Sequence, residues 1–183
     1  MEKGFADTKI KNASKIIVIT GAESTGKSTL TKELAKYFNV PFNPEIARHY
    51  IEKLNKNYNY TDVENIARLQ IEQLTMLKNS EHSHIFLDTW LIVTKIWFQV
   101  VYNKEPVWLN HEIKRTKVDL FLVCDTDLPW ISDPVRENGG EMRNILQNKY
   151  IETIRNYNFN YKIIGGQNSE RLNNAIQFLN ELQ

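Results

Sequence analysis

The chain has 183 residues, 42% apolar and 25% charged, which suits one domain, or one domain with a mobile flap, and leaves enough chain for a core. A net charge of +1 argues against a global field that steers the protein to nucleic acid or membrane. Cys124 stands alone, so no disulfide framework exists within one chain, and inside the run LFLVC it reads as a small buried hydrophobe.

The opening residues, MEKGFADTKIKNA, hold no continuous apolar stretch and do not read as a signal peptide. No run approaches the length of a membrane span. The expectation is a cytoplasmic protein with a polar arm over 1–14 and a single domain over 15–183. KIIVIT (Lys15–Thr20) is a β-branched run that ends in glycine and reads as a buried strand. A helix follows from Lys27 to about Phe38, with Leu30, Leu34 and Phe38 on one stripe. Val40–Phe42, closed by Pro44, is expected as a second strand. Helices are expected over Glu45–Leu54 and Asp62–Lys78, the latter with Thr61 as N-cap.

His84–Leu87 is the third expected strand, ending at Asp88, and a helix over Leu91–Tyr102 follows. A short helix over Asn110–Thr116 precedes the fourth strand, Val118–Cys124. The stretch from Asp125 to Gly140 reads as a loop, with Pro129, Pro134, Gly139 and Gly140. Met142–Tyr157 is helical, Tyr161–Ile164 is the fifth strand, and Arg171–Leu182 is an amphipathic helix. Alternating strands and helices predict an α/β fold: a five-stranded parallel sheet covered on both faces. Right-handed crossovers bring the strand C-termini to one edge, where ligands bind in such sheets. Gly21, Glu45, Asp88 and the 125–143 segment should gather there.

Gly21, Gly26, Lys27 and Ser28 satisfy the phosphate-loop pattern G-x-x-x-x-G-K-S/T, with a strand before and a helix after. The glycines let the backbone curl around a phosphate, and successive N–H groups form an anion nest. The helix beginning at Lys27 aims its positive dipole end at the same phosphates. Lys27 should reach the β- and γ-phosphates of ATP, and the Ser28 hydroxyl should bind Mg²⁺. Glu23, Ser24, Thr25 and Thr29 complete the expected nucleotide-binding set.

A GTPase needs a guanine-reading Asn-Lys-x-Asp after a late strand, and this chain has Asp125-Thr-Asp-Leu there. An AAA-type motor would be longer and carry a helical lid domain; 183 residues is the size of a small kinase. Asp88, at a strand end, can hold Mg²⁺ through water, accept a substrate hydroxyl, or cap the next helix. Glu45 is a candidate general base, or a first-turn glutamate favoured by the helix dipole. Either acid can take the proton. Arg48, one turn on, can contact substrate or phosphate. Residues 125–143 read as a lid in which Arg136 and Arg143 flank a Glu-Asn-Gly-Gly-Glu turn; arginine forks suit a phosphoryl group in transfer. Trp90, two residues past Asp88, can stack on a planar ring, and a cationic ring gains more. An ATP-binding regulatory module that hydrolyses slowly is the competing class.

GAESTGKST (21–29), Glu45 with Arg48 in PEIARHY, FLDT (86–89) and DLPWISDPVR (127–136) resemble the nicotinamide riboside kinase domain of bacterial bifunctional NAD-biosynthesis and regulator proteins. The resemblance runs from about Lys15 to the end. It implies ATP·Mg²⁺-dependent phosphorylation of the ribose 5′-hydroxyl of nicotinamide riboside. It places Glu45 and Asp88 near the transferred group and matches Asp133 and Arg136 to a lid motif. The adenylyltransferase and DNA-binding parts of the larger proteins find no room in this length. Two positions depart from the family pattern. Asp88-Thr89-Trp90 stands where the family often has Asp-Thr-Asp, and Pro44 stands where it often has an aromatic. Trp90 would restore the lost ring contact from another side, or mark a different nucleoside.

Overall fold

The computed structural model describes residues 13–134 and 136–182. The expected arm therefore lies almost wholly outside the described residues. Four apolar runs form strands: β1 (Lys15–Thr20), β2 (His84–Asp88), β3 (Leu120–Cys124) and β4 (Tyr161–Ile164). They pair in the order β2-β1-β3-β4, and every pairing is parallel. Parallel neighbours require crossovers, and helices supply them. Between β1 and β2 run α1 (Lys27–Tyr37), α2 (Ile46–Glu52) and α3 (Tyr60–Lys78). Between β2 and β3 run α4 (Leu91–Tyr102) and α5 (Val107–Arg115). The chain closes with α6 (Gly140–Asn156) before β4 and α7 (Ser169–Asn180) after it.

Period-two alternation sorts the strand side chains into two cores. Ile17, Ile19, Phe86, Leu120 and Leu122 pack with Leu30 and Leu34 of α1 and with Ala175 and Leu179 of α7. Ile16, Val18, Leu87, Phe121 and Val123 pack on the opposite face with Val63, Ile96, Ile113 and Ile154. Leu122 is 0% exposed in a strand paired on both sides. Truncation to Ala leaves a cavity that the sheet cannot close, so Leu122→Ala should cost about 2–5 kcal/mol. A lower urea midpoint at unchanged slope is the expected readout.

Among the described residues the sheet has four strands, not five. Val40–Phe42 does not pair; the Val40 N–H instead donates to the Ala35 carbonyl at 2.9 Å and closes the end of α1. Pro41 offers no N–H to a ladder, and Pro44 follows two residues after Phe42, so the run is too short and too donor-poor for a sheet. The cap of α3 also differs from Thr61. Asn59 and Asp62 form a reciprocal capping box, with bonds of 3.2 and 2.9 Å. Among the described residues no helix is long and apolar enough to cross a membrane. The parallel arrangement puts the C-terminal ends of all four strands at one edge, and the loops that follow them build the site.

Candidate active site

The phosphate loop turns sharply out of β1. Gly21 has φ 137°, and a Cβ there would stand 2.7 Å from the Cys124 carbonyl oxygen, so only glycine fits. Gly26 has φ 78° and starts α1 from a left-handed residue. Lys27 Nζ donates to the Ala22 carbonyl at 2.8 Å, and Thr25 Oγ1 donates to the same oxygen at 2.8 Å. Ser28 and Thr29 are exposed in the first turn of α1.

Asp88 ends β2 beside this loop and is 4% exposed. Neither carboxyl oxygen has a hydrogen-bond partner of good geometry. Burial raises its pKa above the ordinary aspartate value, while the nearby Ser28 hydroxyl and the Lys27 charge pull it back down. The next residue, Thr89, has φ 62°, a strained conformation for a β-branched side chain. Glu45 is the N-cap of α2. Protein atoms crowd it and raise its pKa, although the residue keeps some solvent exposure; Lys27 lowers the pKa and Asp88 raises it. The structure thus gathers Lys27, Ser28, Glu45 and Asp88 around one point.

The segment after β3 lies over the loop, and the two loop side chains Glu23 and Ser24 hold it there. Glu23 accepts from the Asn138 backbone N–H and side-chain amide, each at 3.0 Å, and from the Glu137 N–H at 3.2 Å. Ser24 Oγ accepts from the Ile131 N–H at 3.0 Å. Asp133 pairs with Arg136 at 2.8 Å and with Arg48 of α2 at 2.9 Å, which ties the segment to a second element. Arg136 also donates to the Ile131 carbonyl at 2.6 Å.

Two expected ligand contacts find other surroundings. Arg143 lies in the first turn of α6, 7% exposed, and its guanidinium donates to the Glu23 and Ser24 carbonyls at 2.9 and 3.1 Å. It grips the outside of the loop. Trp90 is 2% exposed and packs in the core, lining a cleft of about 240 Å³ with Ile71, Leu74 and Arg115. The indole N–H has no hydrogen-bond partner among the described residues, and the ring borders this cleft between α3 and α5.

A family model described as AAA domain matches residues 16–171, most of the chain. The chain belongs to that family. Its members share the parallel sheet and phosphate loop seen here. Over 150 residues the chain is 26% identical to the trifunctional NAD biosynthesis/regulator protein NadR of Salmonella typhimurium, covering 79% of this chain and 37% of that protein. A solved NadR in complex with NR superposes with a TM-score of 0.78 at 23% identity, over 92% of this chain and 50% of that one. Deoxyadenosine kinase from M. mycoides matches with a TM-score of 0.63 at 19% identity, over 91% and 99%. The chain thus spans half or less of the NadR proteins it matches, and the resemblance read from its motifs agrees with these matches.

The family's loop is supported here by residues that sequence reasoning passed over. Gln147 accepts from the Ala22 N–H at 2.8 Å and donates to the Cys124 carbonyl at 2.9 Å. Arg171 donates to the Thr25 and Gly166 carbonyls and pairs with Asp127. Tyr150 is buried, with a pKa raised by burial and by the charges of Glu23 and Glu45. The signal was present on α6. Arg143, Gln147 and Tyr150 fall at i, i+4 and i+7, the face that also buries Leu146 and Ile154. Polar side chains on a buried stripe need partners, and the loop provides them for Arg143 and Gln147.

Proposed function

We propose that the chain is an ATP-dependent nucleoside kinase of the cytoplasm that phosphorylates the 5′-hydroxyl of nicotinamide riboside. One observation carries this reading: two carboxyls of raised pKa, Glu45 and Asp88, face the Lys27 ammonium beside a phosphate loop. A nucleotide switch has no need of a second acid there. The likeness to NadR in complex with NR supports the choice of acceptor.

The residues divide the work by environment. Asp88, with its unpartnered oxygens beside the Ser28 hydroxyl, offers the hard oxygen donors that suit Mg²⁺. Held by these residues, magnesium would supply charge neutralisation for the nucleotide's phosphates. Glu45 is then left to accept the acceptor's proton. The acceptor hydroxyl oxygen forms a bond to the γ-phosphorus. The bond from that phosphorus to the β-bridging oxygen breaks, and ADP leaves with the electron pair. Lys27 takes up charge on the transferring phosphoryl group. Residues 125–143 act as a lid, with Arg136 as the arginine that closes on the phosphates and the Asp133–Arg48 pair joining lid to α2.

Pro44 and the buried Trp90 favour a second reading, a kinase of another nucleoside, because both positions depart from the resembled pattern. ATP consumption against a panel of nucleosides, with product mass recorded, separates the readings. Nicotinamide riboside should raise turnover well above the acceptor-free rate and yield a monophosphate. Another nucleoside in its place transfers the assignment to the second reading. Hydrolysis with no phosphorylated product marks a regulatory module and ends the kinase reading.

A further inference from the structure

Four consecutive carbonyls of the phosphate loop, Ala22 to Thr25, each accept a side-chain hydrogen bond. Thr25 and Lys27 serve Ala22 from within the loop. Arg143 spans Glu23 and Ser24, and Arg171 serves Thr25, both from outside it. Gln147 fastens the loop's first turn to the end of β3 through Ala22 N–H and Cys124 O. All three outside residues are buried, at 7%, 4% and 6% exposure for Arg143, Arg171 and Gln147. A loop that binds an anion must turn its N–H groups inward and its carbonyls away. Carbonyls turned into the protein interior need donors, or the loop relaxes toward conformations that aim oxygen at the anion. Two of the donors are also guanidinium cations, which stay charged when buried and add positive potential behind the loop.

We infer that Arg143, Gln147 and Arg171 are positioning residues that set the phosphate loop for the nucleotide by holding its carbonyls and its first turn from behind. The inference rests on the loop's binding ATP and not on the identity of the acceptor. Arg143 and Gln147 stand one turn apart on α6, directly after the segment that Glu23 and Ser24 hold, so one helix supports the loop and carries that segment.

The test is titration calorimetry of MgATP with no acceptor present, on the parent and on Gln147→Leu, Gln147→Glu and Arg143→Lys, with melting temperatures recorded without ligand. Gln147→Glu still accepts from Ala22 N–H but cannot donate to Cys124 O, and it adds negative charge. Arg143→Lys keeps the charge but not the fork across two carbonyls. Each folded variant should bind MgATP about tenfold more weakly, a loss out of proportion to any fall in melting temperature. Kd within twofold of the parent in the folded variants overturns the inference, since a residue that merely packs would move the melting temperature alone. If Gln147→Leu fails to fold, the two conservative variants decide. A parent that binds no MgATP overturns the functional reading and this inference together; a parent that binds, with variants that match it, overturns this inference alone.

Discussion

Lys27→Ala should reduce phosphoryl transfer by at least about a hundred- to a thousand-fold, the cost of removing one preorganised charge from a developing anion. The fold should survive. Among the described residues Lys27 Nζ bonds only to the Ala22 carbonyl, and Thr25 Oγ1 donates to the same oxygen at 2.8 Å, so truncation strands no buried acceptor. The neighbouring carboxyls should respond as well. Lys27 lowers the pKa of both Glu45 and Asp88, so its loss lets both rise further and bind protons more readily. Single-turnover kinetics with a melting curve check both halves. Retained turnover in the Ala variant would refute the assignment of the loop.

Glu45→Gln should lower kcat about a hundred- to ten-thousand-fold while leaving MgATP affinity nearly unchanged. The split follows from position: Glu45 is the N-cap residue of α2, near enough to Lys27 to feel its charge, and its side chain makes no cap hydrogen bond. A glutamine keeps the size and loses the proton-accepting charge. The pH profile adds an independent check. Both acids have pKa values raised above their ordinary values of 4.5 and 3.8, chiefly by burial. The acid limb of kcat/KM should therefore lie above the usual carboxylate range and be steeper than one proton, flattening toward one proton in Glu45→Gln. Stability should run the other way. Between the unfolded and the raised folded pKa the native state holds more protons, so stability falls as pH rises through that window. Glu45→Gln removes its share of that fall. A variant with wild-type kcat, or equal losses in kcat and in MgATP affinity, would end the general-base role.

The departures from expectation share a cause. Val40–Phe42 has the apolar composition of a strand, yet Pro41 within it and Pro44 after it leave too few N–H groups, and α1 claims the Val40 donor. Trp90 stands two residues from Asp88 in sequence, but its side chain is buried in the core cluster, beside a cleft lined by α3 and α5. Arg143 has the chemistry of a phosphate ligand, and its burial on α6 turns that chemistry onto backbone oxygens.

By itself the sequence determined the phosphate loop, the strand that feeds it, the strand-end position of Asp88 and the alternating order of strands and helices. Those features are local: glycine spacing, β-branched runs and helical stripes act over a few residues. Only the tertiary structure decided what the loop's side chains and carbonyls hold. Glu23 meets Asn138 across 115 residues of sequence, and Ala22 meets Gln147 across 125. Which donor satisfies which acceptor depends on how α6 and α7 pack beside the sheet edge, and burial decides whether an arginine or tryptophan faces a ligand or the protein. GAESTGKS thus specifies the turn, and the packing around it specifies how that turn is held.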